Sequence, residues 1–321
     1  MKRITTTIGA IALLGCAWPA LAQTEKPKDK TTEKTPATQE RPSTTTASGQ
    51  KDACFVHRSS DVVGLDVRNA QDENLGDIHD LVVNPETGEI EYAVLSFGGF
   101  MGMGDKLFAL PWGVFEPVHK ADGDQKYMLL SIDKERLKDS PGFPKDNWPD
   151  MTSPDWAKSI RDFYKEDLEA RRAGSHEDVS AGKAVDANKR FVLVKATDLK
   201  GCNVETSDGK KAGEIKDLAI DPNRGRVAYF VLGSGGFLGF GKDLYAVPWQ
   251  AATVSVTDDK KLACKLHVPQ SKFENAPDFV DKDWKRMSDP VFVREVYTYY
   301  GTPVYWKDSE PIEAGAAGAG S

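Results

Sequence analysis

The chain has 321 residues, of which 42 are Lys or Arg and 49 are Asp or Glu, so its formal net charge is −7. This length accommodates two domains of ordinary size. The acidic balance and the lack of a basic cluster exclude a protein that binds DNA or RNA by neutralising phosphates. A mean hydropathy of −0.47, with no apolar run of about 18 residues, excludes a polytopic membrane protein.

The first 22 residues have the pattern of a secretory signal peptide. Lys2 and Arg3 supply a positive start, an apolar stretch follows, and Ala20 and Ala22 stand at the two positions that a signal peptidase recognises. We expect cleavage after Ala22 and a periplasmic or secreted protein without a transmembrane helix. Cleavage removes two positive charges and no acid, so the mature charge becomes −7 − 2 = −9.

A second interpretation of the same segment concerns Cys16. The run from Leu13 to Cys16, Leu-Leu-Gly-Cys, resembles a lipobox, in which the cysteine is lipidated and becomes the mature N-terminus. The protein would then be a membrane-anchored lipoprotein. The complete signal-peptide pattern favours cleavage after Ala22, and both interpretations stay open.

Three further segments have the composition of chain that does not fold. Residues 23–52 lack Leu, Ile, Val, Phe, Tyr and Trp, so they cannot bury enough apolar surface to offset the entropy of ordering. We expect a disordered tether there. Residues 166–190 are predicted to be a linker, and 307–321 a flexible tail rich in Gly and Ala.

The rest of the chain is an internal duplication. Residues 64–112, shifted by 137 positions onto 201–249, give 20 identities in 49 aligned positions. Asp80, Pro85, Gly88 and Trp112 are among the residues that recur. We therefore predict two homologous domains, at 53–165 and 191–306.

Each copy has the pattern of a small all-β domain followed by a helix. Five or six short strands with hairpin connections lie within about 75 residues, which is typical of a small closed barrel. Met128, Leu130 and Ile132 alternate on one predicted face. Ser153 and Pro154 then predict a helix start, with a counterpart at 288–300.

These motifs resemble the PRC-barrel family. The residues that carry the resemblance form three blocks in each copy: 76–83, 88–95 and 108–112, then 213–218, 229–232 and 245–249. The resemblance implies a mainly β fold of two small PRC-type β-barrels, each followed by a C-terminal α-helical segment. In the reaction-centre H subunit and in a ribosome maturation factor of this family, the barrel is a docking module. The export signal and acidic charge separate this chain from both roles.

A doubled loop, Gly-Gly-Phe-x-Gly-x-Gly, is the main candidate binding feature. In one interpretation it is a flap whose tips, Phe100 and Met101 or Phe237 and Leu238, contact a ligand or partner. In the other, the glycines only allow positive φ in a long hairpin. A strand follows the loop, so it is not a dinucleotide-binding motif. The flap glycines are Gly98, Gly99, Gly102, Gly104, Gly235, Gly236, Gly239 and Gly241.

No catalytic or metal-binding pattern is evident, and we predict no cofactor. The five histidines share no ligand spacing. Trp112 and Trp249 are predicted to be core residues and not an aromatic ligand platform. Asp80 and Asp217 are predicted to accept hydrogen bonds from turn backbone and not to bind a cation.

Cleavage after Ala22 leaves three cysteines in a compartment that permits disulfides. Cys202 and Cys264 both fall on the inferred core face. They either form a bridge that closes a loop of about 62 residues, worth about 2–4 kcal/mol, or remain two buried thiols. Cys54 is then free or pairs with one of them across the domain boundary.

The leading functional hypothesis is a non-catalytic scaffold or protein-binding module of the bacterial envelope. The alternative is a small-ligand carrier that uses the cleft between the barrels or the glycine flaps. A weaker alternative is an enzyme with an unrecognised site. The partner, an envelope protein or a small ligand, is not identified by the sequence.

Overall fold

The computed structural model describes residues 56–97, 106–119, 125–174, 192–233, 244–257, 259 and 261–305. Within these residues the strands fall into two sheets of eight strands each. The strands of the first copy are β1 (His57–Arg58), β2 (Asp66–Arg68), β3 (Asn74–Val83), β4 (Ile90–Ser96), β5 (Lys106–Pro111), β6 (Phe115–His119), β7 (Gln125–Leu130) and β8 (Gly142–Pro144). Those of the second copy are β9 (Val194–Lys195), β10 (Asn203–Glu205), β11 (Lys211–Asp221), β12 (Arg226–Gly233), β13 (Leu244–Pro248), β14 (Ala252–Val256), β15 (Leu262–Leu266) and β16 (Asp278–Phe279).

Helices connect and follow the strands. The α-helices are α1 (Ser59–Val62), α2 (Lys134–Lys138), α3 (Pro154–Phe163), α4 (Lys165–Gly174), α5 (Ala196–Leu199), α6 (Gln270–Phe273) and α7 (Pro290–Tyr300). Short 3-10 segments lie at Trp112–Val114, Trp249–Ala251 and Asp281–Ser288. Among the helices described here, none has both the length and the apolar character needed to cross a bilayer.

Both sheets have the same strand order, as expected for two copies of one domain. The first runs β6-β7-β2-β3-β4-β5-β8 and the second runs β14-β15-β10-β11-β12-β13-β16. Neighbours are antiparallel, except for β2 with β7 and β10 with β15, which are parallel. In the described part of the chain, no ladder joins the two ends of either order. The predicted alternation is confirmed, because Met128, Leu130 and Ile132 are buried.

The predicted helices are present at both places. Ser153 is the N-cap of α3 and Pro154 its first residue, as the sequence indicates. Asp289 caps α7 by accepting a hydrogen bond from the Val291 amide. All of helix α4 except Lys165 lies in the stretch that composition predicts to be linker, and Arg171 of α4 pairs with Glu116 of β6 at 3.6 Å.

The two sheets exchange their first strands. Strand β1 of the first copy pairs antiparallel with β11 of the second, with His57 opposite Ile220. Strand β9 of the second copy pairs in the same way with β3 of the first, with Val194 opposite Val83. Each eight-stranded sheet therefore has seven strands from one copy and one strand from the other. The exchange makes the two copies interdependent, because neither sheet is complete without the other copy.

The turns between β3 and β4 and between β11 and β12 meet each other at the junction. The Ile90 amide donates to the Gly225 carbonyl and the Val227 amide to the Gly88 carbonyl, each at 2.8 Å. Each turn glycine has positive φ and lies under the tryptophan of the opposite copy. The junction thus has approximate two-fold symmetry.

Replacing Gly225 by Ala tests this packing. A Cβ at Gly225 would lie closer to Trp112 than carbon atoms can approach, and φ is +61°. Gly201 has φ +82°, and a Cβ placed on it would meet no atom within 4 Å, so it is a matched control for backbone strain alone. We expect G201A to cost about 1–2 kcal/mol and G225A to cost about 1–3 kcal/mol more, measured by urea unfolding. Equal losses for the two variants would contradict the described contact.

Candidate functional site

The acidic residues that the sequence singles out lie at the junction between the copies. Asp217, on β11, is buried and accepts hydrogen bonds from the first helical turn of the other copy. Its Oδ1 accepts from the Ser59 hydroxyl at 2.5 Å, and its Oδ2 accepts from the Ser60 hydroxyl at 2.6 Å. Its Oδ1 also accepts from the Leu218 amide at 2.8 Å. A buried carboxylate with donors on both oxygens is an effective anchor for α1.

Asp80 occupies the corresponding place in the first copy. It accepts from the Thr197 hydroxyl, from the Thr197 amide at 3.3 Å and from the Leu81 amide at 2.8 Å. Ala196 stands where the first copy has Ser59, so this carboxylate has one hydroxyl donor and not two. Burial raises the pKa of Asp80, and the hydrogen bonds from Thr197 and Leu81 oppose that rise.

The predicted backbone role of these two acids is therefore confirmed in part. Each accepts from the amide of the next residue, Leu81 or Leu218. The hydroxyl donors come from the opposite copy, which the sequence does not indicate by itself. The shift of 137 places Thr197 on Ser60 and Asp217 on Asp80, but it does not say which copy supplies the donor.

Trp112 and Trp249 are core residues, as predicted. Both are buried, and each indole N–H donates to a carbonyl of the other copy: Trp112 to Pro222 at 3.1 Å and Trp249 to Pro85 at 3.2 Å. A buried indole usually needs such an acceptor. The indoles fill the centre of the junction, so they do not form an exposed platform for a ligand.

The glycine loops join β4 to β5 and β12 to β13. The predicted binding residues Phe100, Met101, Phe237 and Leu238 lie outside the described residues, as do all eight flap glycines. At the base of the first loop, Phe97 is buried and contacts the edge of Phe108, with ring centroids 6.2 Å apart. The sequence prediction for these loops stays a prediction.

The possible disulfide between Cys202 and Cys264 is not formed in the structure, in which both are free thiols. Strands β10 and β15 are neighbours, but Val204, not Cys202, lies opposite Cys264. Cys202 precedes β10, and its thiol donates to the Asp198 carbonyl at 3.2 Å. Burial raises the pKa of Cys264 to about 12, which keeps it protonated. Cys16 and Cys54 lie outside the described residues.

An exposed groove that the sequence does not predict runs along α7. It has a volume of about 540 Å³ and is lined by Pro290, Val291, Arg294, Glu295, Thr298 and Tyr299. The Val291 side chain is conspicuous there because the residue is 77% exposed. The helix of the first copy has Asp155 at this position, so the two copies differ on this face.

Across the ranges given above, no group of three or more His, Cys, Asp or Glu side chains is arranged to hold a metal ion. The clustered polar side chains of the junction hydrogen-bond to each other, as Asp217 does with Ser59 and Ser60.

The fold and the junction define a protein built from two copies of one small β domain. The family model for the PRC-barrel domain matches residues 56–137 and again 191–263. The chain therefore belongs to the PRC-barrel family, with two such domains in tandem. No curated protein matches the chain.

The hydroxyl donors of the junction can be tested by exchanging them between the copies. We expect S59A to lower the free energy of unfolding by about 1–2 kcal/mol, because the buried Asp217 loses one donor. A196S should raise it by about 1 kcal/mol, because it gives Asp80 the donor that it lacks. Urea unfolding at pH 7 measures both, and a loss of stability in A196S as large as that in S59A would contradict this account.

Proposed function

We propose that this protein is a non-catalytic scaffold of the bacterial envelope that binds a protein partner through its tandem PRC-barrels. The observation that carries the proposal is the reciprocal junction. Because β1 completes one sheet and β9 the other, the hairpins that carry the two glycine loops belong to one body. Such a body can present two related loops to a partner at the same time.

The use of the polar side chains at the junction supports binding over catalysis. Asp80, Asp217, Ser59, Ser60 and Thr197 are engaged in holding the copies together. A general acid or base must instead reach a substrate proton. The PRC-barrel is also a docking module in the two relatives that the sequence resembles.

The small-ligand carrier is the alternative. The indoles of Trp112 and Trp249 occupy the junction, so of the two places that the sequence suggests for such a ligand, the cleft and the glycine loops, the proposal favours the loops. A thermal-shift screen against metabolites and metals addresses it, because a ligand that binds the native state raises the melting temperature. The proposal of a protein partner predicts no such rise.

Site-specific photo-crosslinking in cells tests the proposed binding residues. A photoreactive amino acid at position 100 or 237 should give discrete crosslinked products with another protein, because the proposal places the partner at the loop tips. The control position is Ser159, an exposed residue of α3. Equal crosslinking from position 159, or none from 100 and 237, would contradict the assignment of the loops.

Export and processing can be tested by identifying the N-terminal residue of the mature protein and the cell fraction that contains it. We expect mass spectrometry to place it at Gln23, with the protein recovered free of membranes and C16S unchanged. A lipidated Cys16 would instead place the wild-type protein in the membrane fraction and shift C16S out of it. That result would replace the free periplasmic or secreted form with a lipoprotein.

A further inference from the structure

The ends of the two sheets differ in how they are protected. An edge strand presents unpaired N–H and C=O groups, and proteins usually block them. The edge strand at one end of each sheet is very short: β8 has three residues and β16 has two. The other ends, β6 and β14, have five residues each and occupy equivalent positions in the two copies.

Strand β6 is blocked in two ways. Pro117 lies in the middle of the strand, and proline has no N–H to offer to an incoming strand. In addition, Arg171 of helix α4 pairs with Glu116 of the strand at 3.6 Å. The first copy therefore has a protected edge.

Strand β14 lacks both devices. Val254 stands at the position of Pro117, and α7 ends at Tyr300 without a following helix among the residues described there. The register between β14 and β15 determines which backbone N–H and C=O groups of β14 point away from β15. The Ala251 carbonyl accepts from the His267 amide and the Thr257 amide donates to the Lys261 carbonyl. Odd-numbered residues thus bond to β15, and even-numbered residues direct their backbone groups away from it.

The outward groups of β14 are the ones that a further strand would need. The Ala252 amide already donates a hydrogen bond to the Trp249 carbonyl in the preceding turn. For the amides of Val254 and Val256, the described residues supply no hydrogen-bond partner. Val256 is 37% exposed, and Thr253 and Ser255 are exposed on the outer face. Among the described residues, no strand other than β15 pairs with β14, and residues 250–257 carry no charge.

We infer that β14 pairs antiparallel with β14 of a second copy of this chain, so that the protein dimerises through the second barrel. The strand is self-complementary about Val254. Val254 would exchange both backbone hydrogen bonds with its counterpart, and the Val256 amide would donate to the Ala252 carbonyl of the second copy. Such an isologous contact closes as a two-fold dimer.

The side chains suit the same register. Thr253 would lie opposite Ser255 of the second copy, and these hydroxyl residues form a favourable cross-strand pair. Residues 250–257 carry no charge, so self-pairing brings no like charges together. A neutral, β-branched edge of this kind is a stronger candidate for pairing with its own copy than an edge bearing one sign of charge.

Two double variants at exposed positions test the register. In T253E/S255E, the introduced glutamates of the two copies face each other, and we expect dimerisation to weaken about tenfold. In T253E/S255K, the introduced glutamate of each copy faces the introduced lysine of the other, so the dimer should be retained. Both variants place the same glutamate opposite Lys265 of its own chain, so the contrast isolates the contact between copies. Sedimentation velocity over a concentration series measures the dimer fraction.

The wild-type protein should show an average mass that rises with concentration towards twice that of the monomer. V254P should remain monomeric, since it copies the block that Pro117 supplies, and thermal unfolding checks that all variants are folded. A wild type that stays monomeric at every concentration would overturn the inference. So would equal dimer fractions in the two double variants. Crosslinking from the glycine loops does not depend on either result.

Discussion

A buried carboxylate must be satisfied by hydrogen bonds, and in this protein the hydroxyl donors come from the opposite copy. Asp217 is held by Ser59 and Ser60, and Asp80 by Thr197. A copy that lost its partner would leave this acid without its hydroxyl donors, which costs more than a single hydrogen bond gains. The rest of the junction follows from this constraint, because α1 and α5 bring β1 and β9 onto the other sheet.

The duplication makes this exchange favourable. Because both copies lie in one chain, the association between them is intramolecular and benefits from a high effective concentration. The indoles of Trp112 and Trp249 then bury the turns of the opposite copy, and Gly88 and Gly225 provide the necessary space. The result is one body with approximate two-fold symmetry and not two barrels on a flexible linker.

Much of this fold could be predicted from the sequence, but its connections between copies could not. Periodicity indicates the strands, and Ser153 with Pro154 indicates α3. The shift of 137 aligns Thr197 with Ser60, but an alignment cannot say whether Asp80 binds the residue of its own copy or of the other. Whether Cys202 and Cys264 can form a disulfide depends on the register of β10 against β15, which places Val204 opposite Cys264. The sequence does not indicate that register.

The two copies share the residues of the junction but differ at positions on their surfaces. Proline, glycine, tryptophan and aspartate recur at the junction because each is needed there twice. The surfaces have diverged: Val254 replaces Pro117 at the edge, and Val291 replaces Asp155 on the helix. The glycine loops show the opposite behaviour. They recur almost unchanged in the two copies, as Gly-Gly-Phe-x-Gly-x-Gly, and the proposed partner binding would place the same requirement on both loops.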